Sequence, residues 1–218
     1  VCAGTFVVTI TDANGCTGTE SINITEPSVL TTTIAQTGTI LCFGDSTVTL
    51  TATANGGTTN YSFLWNTGAT TAVITNTGAG VYSLTTTDAN NCQVITPFTV
   101  TEPTPLVASI TQTAFISCGG APTAALLAAG TGGTPNYTFE WSTTAITPAI
   151  SALAAGTYSV TVTDDNGCTD IETFIVTEPT PIVANQTITN PISCNGVCDG
   201  AVTYNPTGGT PGYTVAWP

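Results

Sequence analysis

The sequence predicts an all-β protein, organised as tandem antiparallel β-sandwich domains in a linear array. Three observations carry that expectation. The first is a repeat: "TDANGC" (Thr11–Cys16), "TDANNC" (Thr87–Cys92) and "TDDNGC" (Thr163–Cys168) stand 76 positions apart. Trp65, Trp141 and Trp217 keep the same step, as do Tyr61, Tyr137 and Tyr213, and the Glu-Pro pairs at Glu26, Glu102 and Glu178. One register held without insertion marks a tandem array of a single unit, and a unit of this length is a small domain, typically at least about 50 residues. The second observation is period-two alternation of apolar and β-branched residues, with no stretch carrying a 3.6-residue apolar stripe. The third is a turn signal roughly every 8–12 residues, the spacing of a β-sandwich.

The elements follow in order. Glu-Pro closes each unit, because Pro interrupts a strand ladder and stiffens the join. Residues 1–27 are then the last two strands of a preceding unit, 28–103 and 104–179 are complete units, and 180–218 are the first three strands of a following one. "TVTLTA" (Thr47–Ala52) places Val48, Leu50 and Ala52 on one face. "AALLAAG" (Ala124–Gly130) has helical propensity but occupies the same register, so it reads as a strand. "YSFLW" aligns Tyr61, Phe63 and Trp65. "TYSVTVT" (Thr157–Thr163) points Tyr158, Val160 and Val162 inward, and "TFVVTIT" puts Phe6, Val8 and Ile10 at the same positions. The strand before Glu-Pro turns Ile22 and Ile24, Phe98 and Val100, or Phe174 and Val176 toward the core.

A Trp on the central strand, followed by Gly-x-Tyr-x-apolar (Gly80, Tyr82, Leu84; Gly156, Tyr158, Val160), resembles the immunoglobulin-like sandwich with its tyrosine corner opening strand F. The B- and F-strand cysteines of antibody domains are apolar here. In that frame Asp-x-Asn-Gly is the F–G hairpin turn, with Asp accepting backbone bonds and Asn or Gly taking positive φ. The alternation makes Trp65, Trp141, Trp217, Tyr82 and Tyr158 core residues, rather than a ladder of sugar-stacking platforms with Tyr61, Tyr137 and Tyr213. Small units bury only about 60% of their surface, so each needs such an anchor.

Composition narrows function. The chain has no Lys, Arg or His and a formal charge of -13. It cannot neutralise phosphates, which excludes nucleic-acid binding as an expectation, and an anionic membrane would repel it. Only 6% of residues are charged, so Thr, Ser, Asn and Gly make the polar surface, as suits an extracellular protein. No apolar run approaches the ~18 residues of a transmembrane helix, so no membrane insertion is expected. Any export signal is expected outside these residues.

Several motifs carry a family resemblance. Ser193-Cys194-Asn195-Gly196, Gly208–Tyr213, Ala155–Cys168 and Thr177-Glu178-Pro179 resemble the SprB-type repeat of large surface adhesins of gliding Bacteroidota, with related immunoglobulin-like and PKD-like repeats sharing parts of the pattern. The unit at 28–103 departs most: it reads "LCFGD", lacks the Pro of Gly-Gly-Thr-Pro, and has Asn91 for Gly. It has the look of the neighbouring immunoglobulin-like type. The resemblance implies a cell-surface fibre or adhesin exported by type IX secretion and linked to gliding motility. It names no ligand.

Eight cysteines in an array of small domains indicate disulfides and an oxidising compartment. Two per unit and no His make a poor zinc set. Each unit has an early cysteine (Cys42, Cys118, Cys194) and a turn cysteine (Cys16, Cys92, Cys168). Two pairings stay open. Within a unit they would be Cys42–Cys92 and Cys118–Cys168. However, the A–B and F–G turns lie at opposite ends of a sandwich, a strand of about eight residues spans roughly 27 Å, and bonded Cα atoms lie within about 7 Å. Between units the pair would be Cys42–Cys168. Cys2 and Cys198 break the repeat; they fall in an E–F connection and an A–B turn, which share one end of a sandwich. They mark an extra pair type, whose partners lie beyond this segment or on another subunit. In repeat register residues 180–218 and 1–27 are complementary parts of one unit. The array therefore continues head-to-tail, either in one longer chain or by strand donation between subunits.

Other candidates are weaker. No Ser/His or Cys/His set exists for nucleophilic catalysis, and the carboxylates recur on turns rather than converging, so no enzyme is expected. Without Lys, isopeptide cross-links cannot form. Asp12, Asp88 and Asp164, with Asp165, Asp45 and Asp199 behind them, are candidate Ca²⁺ ligands, against the plainer reading of capped turns; no other cofactor is expected. Asn23, Asn60, Asn136 and Asn185 sit in glycosylation sequons, and Asp45-Ser46-Thr47 marks Ser46 for O-glycosylation as that signal resembles one of Bacteroidota. The expected function is a non-enzymatic structural or adhesive surface filament, with further repeat copies, surface polysaccharide or other cells as partners. The alternatives are a carbohydrate- or Ca²⁺-dependent binding array, which the varied A–B loops leave room for, and a stalk of a larger secreted protein.

Overall fold

The computed structural model describes residues 1–216; Trp217 and Pro218 lie outside the described residues. All the regular structure among them is β, and it falls into two compact units, Val1–Glu102 and Pro103 onward.

In the first unit, β1 (Gly4–Thr11) and β2 (Thr17–Ile24) form a two-stranded hairpin. Two three-stranded sheets follow. One is β3 (Thr31–Thr37), β4 (Val48–Asn55) and β6 (Val73–Thr77), with β4 central. The other is β5 (Ser62–Trp65), β7 (Gly80–Thr87) and β8 (Gln93–Val100), with β7 central. Every pairing is antiparallel. In sandwich lettering the sheets are A-B-E and C-F-G, the immunoglobulin-like arrangement without strand D. Pro97 sits on β8, an edge strand, where a missing N–H breaks no ladder.

The second unit repeats this with β9 (Val107–Ala114), β10 (Ala124–Thr131) and β12 (Ala149–Leu153) in one sheet. The facing sheet is β11 (Thr138–Trp141), β13 (Gly156–Thr163) and β14 (Thr169–Val176). A third, partial sheet pairs β15 (Gln186–Asn190) with β16 (Ala201–Tyr204).

The alternation read from sequence sets both cores. Val48, Leu50 and Ala52 are buried against Trp65, Leu84 and Val100. The second unit buries Leu126 and Ala128 against Trp141, Val160, Val162 and Val176. Ala124–Thr131 is a strand, because its alternate residues fill that core. The hairpin β1–β2 keeps the expected register but not the expected burial. Val8 and Ile10 are 52% and 70% exposed and Ile22 58%, whereas Leu84, Thr86, Val160 and Val162, at the same register positions as Val8 and Ile10, are 0% exposed. Among the described residues no second sheet packs on this hairpin.

Each complete sandwich has two distinct ends. In the first, Gly57 N–H donates to Ser28 O (2.7 Å) and Ala89 N–H to Thr58 O (3.2 Å), so the B–C loop meets the F–G turn. At the other end the A–B loop meets the E–F connection and the start of the Glu-Pro segment.

Candidate functional site

The recurring F–G turn is built around its aspartate. Asp88 Oδ2 accepts the Thr58 N–H (2.9 Å), and Oδ1 accepts the N–H groups of Asn90 (2.9 Å) and Cys92 (2.8 Å). Asp164 does the same with Thr134 (2.8 Å), Asn166 (3.0 Å) and Cys168 (2.8 Å). Both residues are buried. The backbone N–H of Thr58 or Thr134 does most to hold these carboxyls below their ordinary value of 3.8; desolvation works against it, and the turn N–H groups reinforce it. Asp12 caps the β1–β2 turn through Asn14 N–H (2.9 Å) and Cys16 N–H (2.8 Å) but stays exposed. Gly15, Asn91 and Gly167 take the positive φ that closes these turns.

The Gly-Gly-Thr before strand C exists to reach that aspartate. A Cβ on Gly57 would lie 2.6 Å from Asp88 Oδ2, and one on Gly56 2.0 Å from Val29 O; both have positive φ. Only glycine lets the backbone come close enough for the Thr58 N–H to bond the carboxylate.

The candidate Ca²⁺ ligands are therefore committed to backbone. Asp165 and Asp45 are exposed, and Asp199 accepts the Ser193 N–H (3.0 Å); the hydroxyl and N–H of Ser193 hold its carboxyl below the ordinary value. Among the described residues no three His, Cys, Asp or Glu side chains converge as a metal set.

The aromatic residues are structural. Trp65 and Trp141 are 1% and 2% exposed, and their Nε1–H groups donate to Thr71 O and Thr147 O, each at 2.9 Å. Trp217 lies outside the described residues. Tyr61 and Tyr137 donate to Gly56 O and Gly132 O at 2.7 Å, and Tyr213 bonds Gly208 O. Tyr82 donates to Gly78 O (2.9 Å) and Tyr158 to Ala154 O (3.0 Å), which completes the tyrosine corner. The Tyr and Trp rings thus lean into the sandwich and spend their polar atoms on its own backbone.

The opposite end holds a contact that the sequence reading missed. Glu102 Oε2 accepts the Gly44 N–H, and Glu178 Oε2 the Gly120 N–H, each at 2.7 Å. The glutamate of Glu-Pro ties the end of strand G to the early-cysteine loop, so it is more than a linker residue. The 76-residue recurrence of both Glu and Cys-x-Gly was the available signal. Ser46 is exposed in that loop, open to modification. Sequon residues Asn60, Asn136 and Asn185 have left-handed backbone, and Asn23 accepts from the Thr5 hydroxyl (3.2 Å).

Cys42 and Cys168 are each disulfide-bonded. Cys2, Cys16, Cys92, Cys118, Cys194 and Cys198 are free thiols, and all are exposed. Neither within-unit pair is formed, since Cys92 and Cys118 are free. The reason is distance: Cys42 is in the A–B loop and Cys92 in the F–G turn, at opposite ends of the eight-residue β7. At ~3.3 Å rise per residue that separates them by roughly 23 Å, several times the span of a disulfide.

A search of curated proteins finds no match. Similar solved structures include the three N-terminal domains of the bacteriophage RB49 highly immunogenic outer capsid protein, at 18% identity over 84% of this chain and 72% of that one, TM-score 0.40. The C-terminal 282-residue fragment of intimin, solved with the intimin-binding domain of its translocated receptor, aligns at 15% identity over 72% of this chain and 67% of that one, TM-score 0.36. The N-terminal eight Ig domains of Down Syndrome Cell Adhesion Molecule isoform 1.30.30 align at 12% identity over 81% of this chain and 27% of that one, TM-score 0.39. The family match falls in the unit whose sequence departs most from the repeat pattern. Residues 36–70, from the end of β3 through the Cys42 loop and Gly56-Gly57 to Trp65, match the model of the SprB repeat, a stretch that lies within the first complete sandwich.

Proposed function

We propose that this chain forms a structural or adhesive filament at a cell surface, without catalytic activity of its own. The observation that carries the reading is the disposition of cysteines along the repeat. Cys42 and Cys168 are each disulfide-bonded, whereas Cys92 and Cys118, which a within-unit pairing needs, are free. The pairing taken in this reading is a head-to-tail staple, in which the early cysteine of one repeat bonds the turn cysteine of the next. Such a staple resists extension, which suits an array under tension. The SprB match over residues 36–70 supports a surface-adhesin setting, and export by type IX secretion with a part in gliding is the finer form of that reading. Further repeats are the nearest partners; surface polysaccharide or other cells are the outer ones.

A binding array for sugars or Ca²⁺ is less well supported. Trp65 and Trp141 are buried, and Asp88 and Asp164 are spent on turns. The varied A–B loops, "CFGDST", "CGGAPT" and "CNGVCDG", are where ligand specificity would reside. The setting is tested by labelling intact producing cells with an antibody against the folded chain, before and after permeabilisation. Equal labelling, removed by external protease along with surface attachment, is expected. Labelling that requires permeabilisation would overturn the proposal.

A further inference from the structure

We propose that the glutamate of the Glu-Pro pair is a positioning residue for disulfide formation at the early cysteine. It sets the cysteine turn before oxidation, so that a repeat folds first and is stapled afterwards. The proposal rests on the staple reading above and adds the side chain that prepares one end of the bond.

The early cysteine opens a tight turn. Asp45 N–H donates to Cys42 O (3.2 Å), with Gly44 at φ 83°. That is a type II turn over Cys42–Asp45, with glycine at the position that requires positive φ. In the second unit Ala121 N–H donates to Cys118 O (3.1 Å), with Gly120 at φ 81°. Each turn stands in a loop closed at its base. Thr47 Oγ1 donates to Thr39 O (3.1 Å), and Thr123 Oγ1 to Phe115 O (3.3 Å). Glycine loses more conformational freedom on ordering than any other residue, so an exposed turn built on it needs a further restraint.

The glutamate supplies that restraint. Gly44 N–H donates to Glu102 Oε2 and Gly120 N–H to Glu178 Oε2, each at 2.7 Å, the length of a charge-assisted bond. Both sides of this clamp are anchored in one core. Ile40 lies two residues before Cys42 and Val100 two before Glu102, and both are buried in the same cluster. Ile116 and Val176 hold the same places before Cys118 and Glu178. Pro103 and Pro179 restrict the backbone of the glutamate before them. The carboxylate therefore reaches the loop from a nearly fixed base.

The two complete units show the turn in two redox states. Cys42 is disulfide-bonded and Cys118 is a thiol, yet the clamp has the same length in both. The clamp therefore stands without the bond. A loop already held in place has less freedom to lose when its cysteine is captured, which favours the disulfide. The coupling is reciprocal, so the bond in turn strengthens the clamp. In the step itself Cys42 and its partner thiol give up two protons and two electrons and form one S–S bond; the electrons reduce a disulfide oxidant to two thiols.

The test uses the full 218-residue chain in glutathione buffers of graded ratio. Differential alkylation, digestion with an acid-directed protease and mass spectrometry read the fraction of Cys42 in disulfide. Glu102→Ala should lower the equilibrium constant for oxidation of Cys42 about three- to tenfold, as much as one partly exposed hydrogen bond supplies. Glu102→Gln keeps an acceptor oxygen for the Gly44 N–H and should recover most of that loss. Glu140→Ala removes an exposed carboxylate from β11 and should leave the constant unchanged. No shift in Glu102→Ala, an equal shift in Glu140→Ala, or no recovery in Glu102→Gln overturns the proposal. Amide exchange in the fully reduced chain reads the order of events. Gly44 and Gly120 should already be protected there; unprotected glycines would make the clamp a product of the bond and overturn the proposal. The linked peptide names the partner separately. Cys42 joined to a cysteine other than Cys168 would fault the staple and leave the shift standing. Cys42 joined to Cys168 with an unmoved constant would fault the positioning role and leave the staple standing.

Discussion

At the residue scale, the F–G aspartate was legible because its partners are close in sequence: Asn90 and Cys92 are two and four residues from Asp88. It also makes the molecule acid-sensitive with a definite sign. The folded carboxyl titrates below its ordinary value of 3.8, so its stabilisation is complete above about pH 4 and is lost as pH falls through the folded value. Asp88→Asn should lower the melting temperature at pH 7, and the difference from the parent should shrink on acidification; a pH-independent difference would contradict this. Gly57→Ala forces a left-handed alanine, which costs about 1–2 kcal/mol, and pushes its Cβ against Asp88. Chemical denaturation should show at least that loss. Glu102 was not legible because its partner Gly44 is 58 residues away, and nothing local distinguishes a capping glutamate from a linker one. Glu102→Ala should speed amide exchange at Gly44 while leaving the β7–β8 ladder protected.

At the element scale, period-two alternation settled strand identity even where propensity pointed elsewhere. Ala124–Thr131 is alanine- and leucine-rich, yet it is a strand because Leu126 and Ala128 must fill the same core sites as Leu50 and Ala52. Alternation assigns a face but not a cover. Val8 and Ile10 share the register of fully buried residues and are exposed, because burial depends on a facing sheet and none of the described residues supplies one to this hairpin. The single Trp in each sandwich concentrates stability in one position. Trp65→Ala removes a side chain 1% exposed, a change that typically costs about 3–5 kcal/mol. Hydrogen exchange across β3–β8 should accelerate accordingly; unchanged protection would show that Trp65 is not the anchor of its unit.

At the scale of the whole molecule, the 76-residue step made the tandem organisation readable before any strand was placed. It also left the cysteine pairing balanced between two choices. Within one sandwich the A–B loop and F–G turn are a strand length apart, and Cys92 and Cys118 are free, which speaks against the first. The filament proposed above takes the second, each repeat chained to its neighbour. Non-reducing peptide mapping with an acid-directed protease tests this most directly, because the chain has no Lys or Arg for trypsin. The account predicts a peptide linking Cys42 to Cys168 within one chain. Peptides linking Cys42 to Cys92 and Cys118 to Cys168 would contradict it and leave independent domains on Pro-stiffened joins.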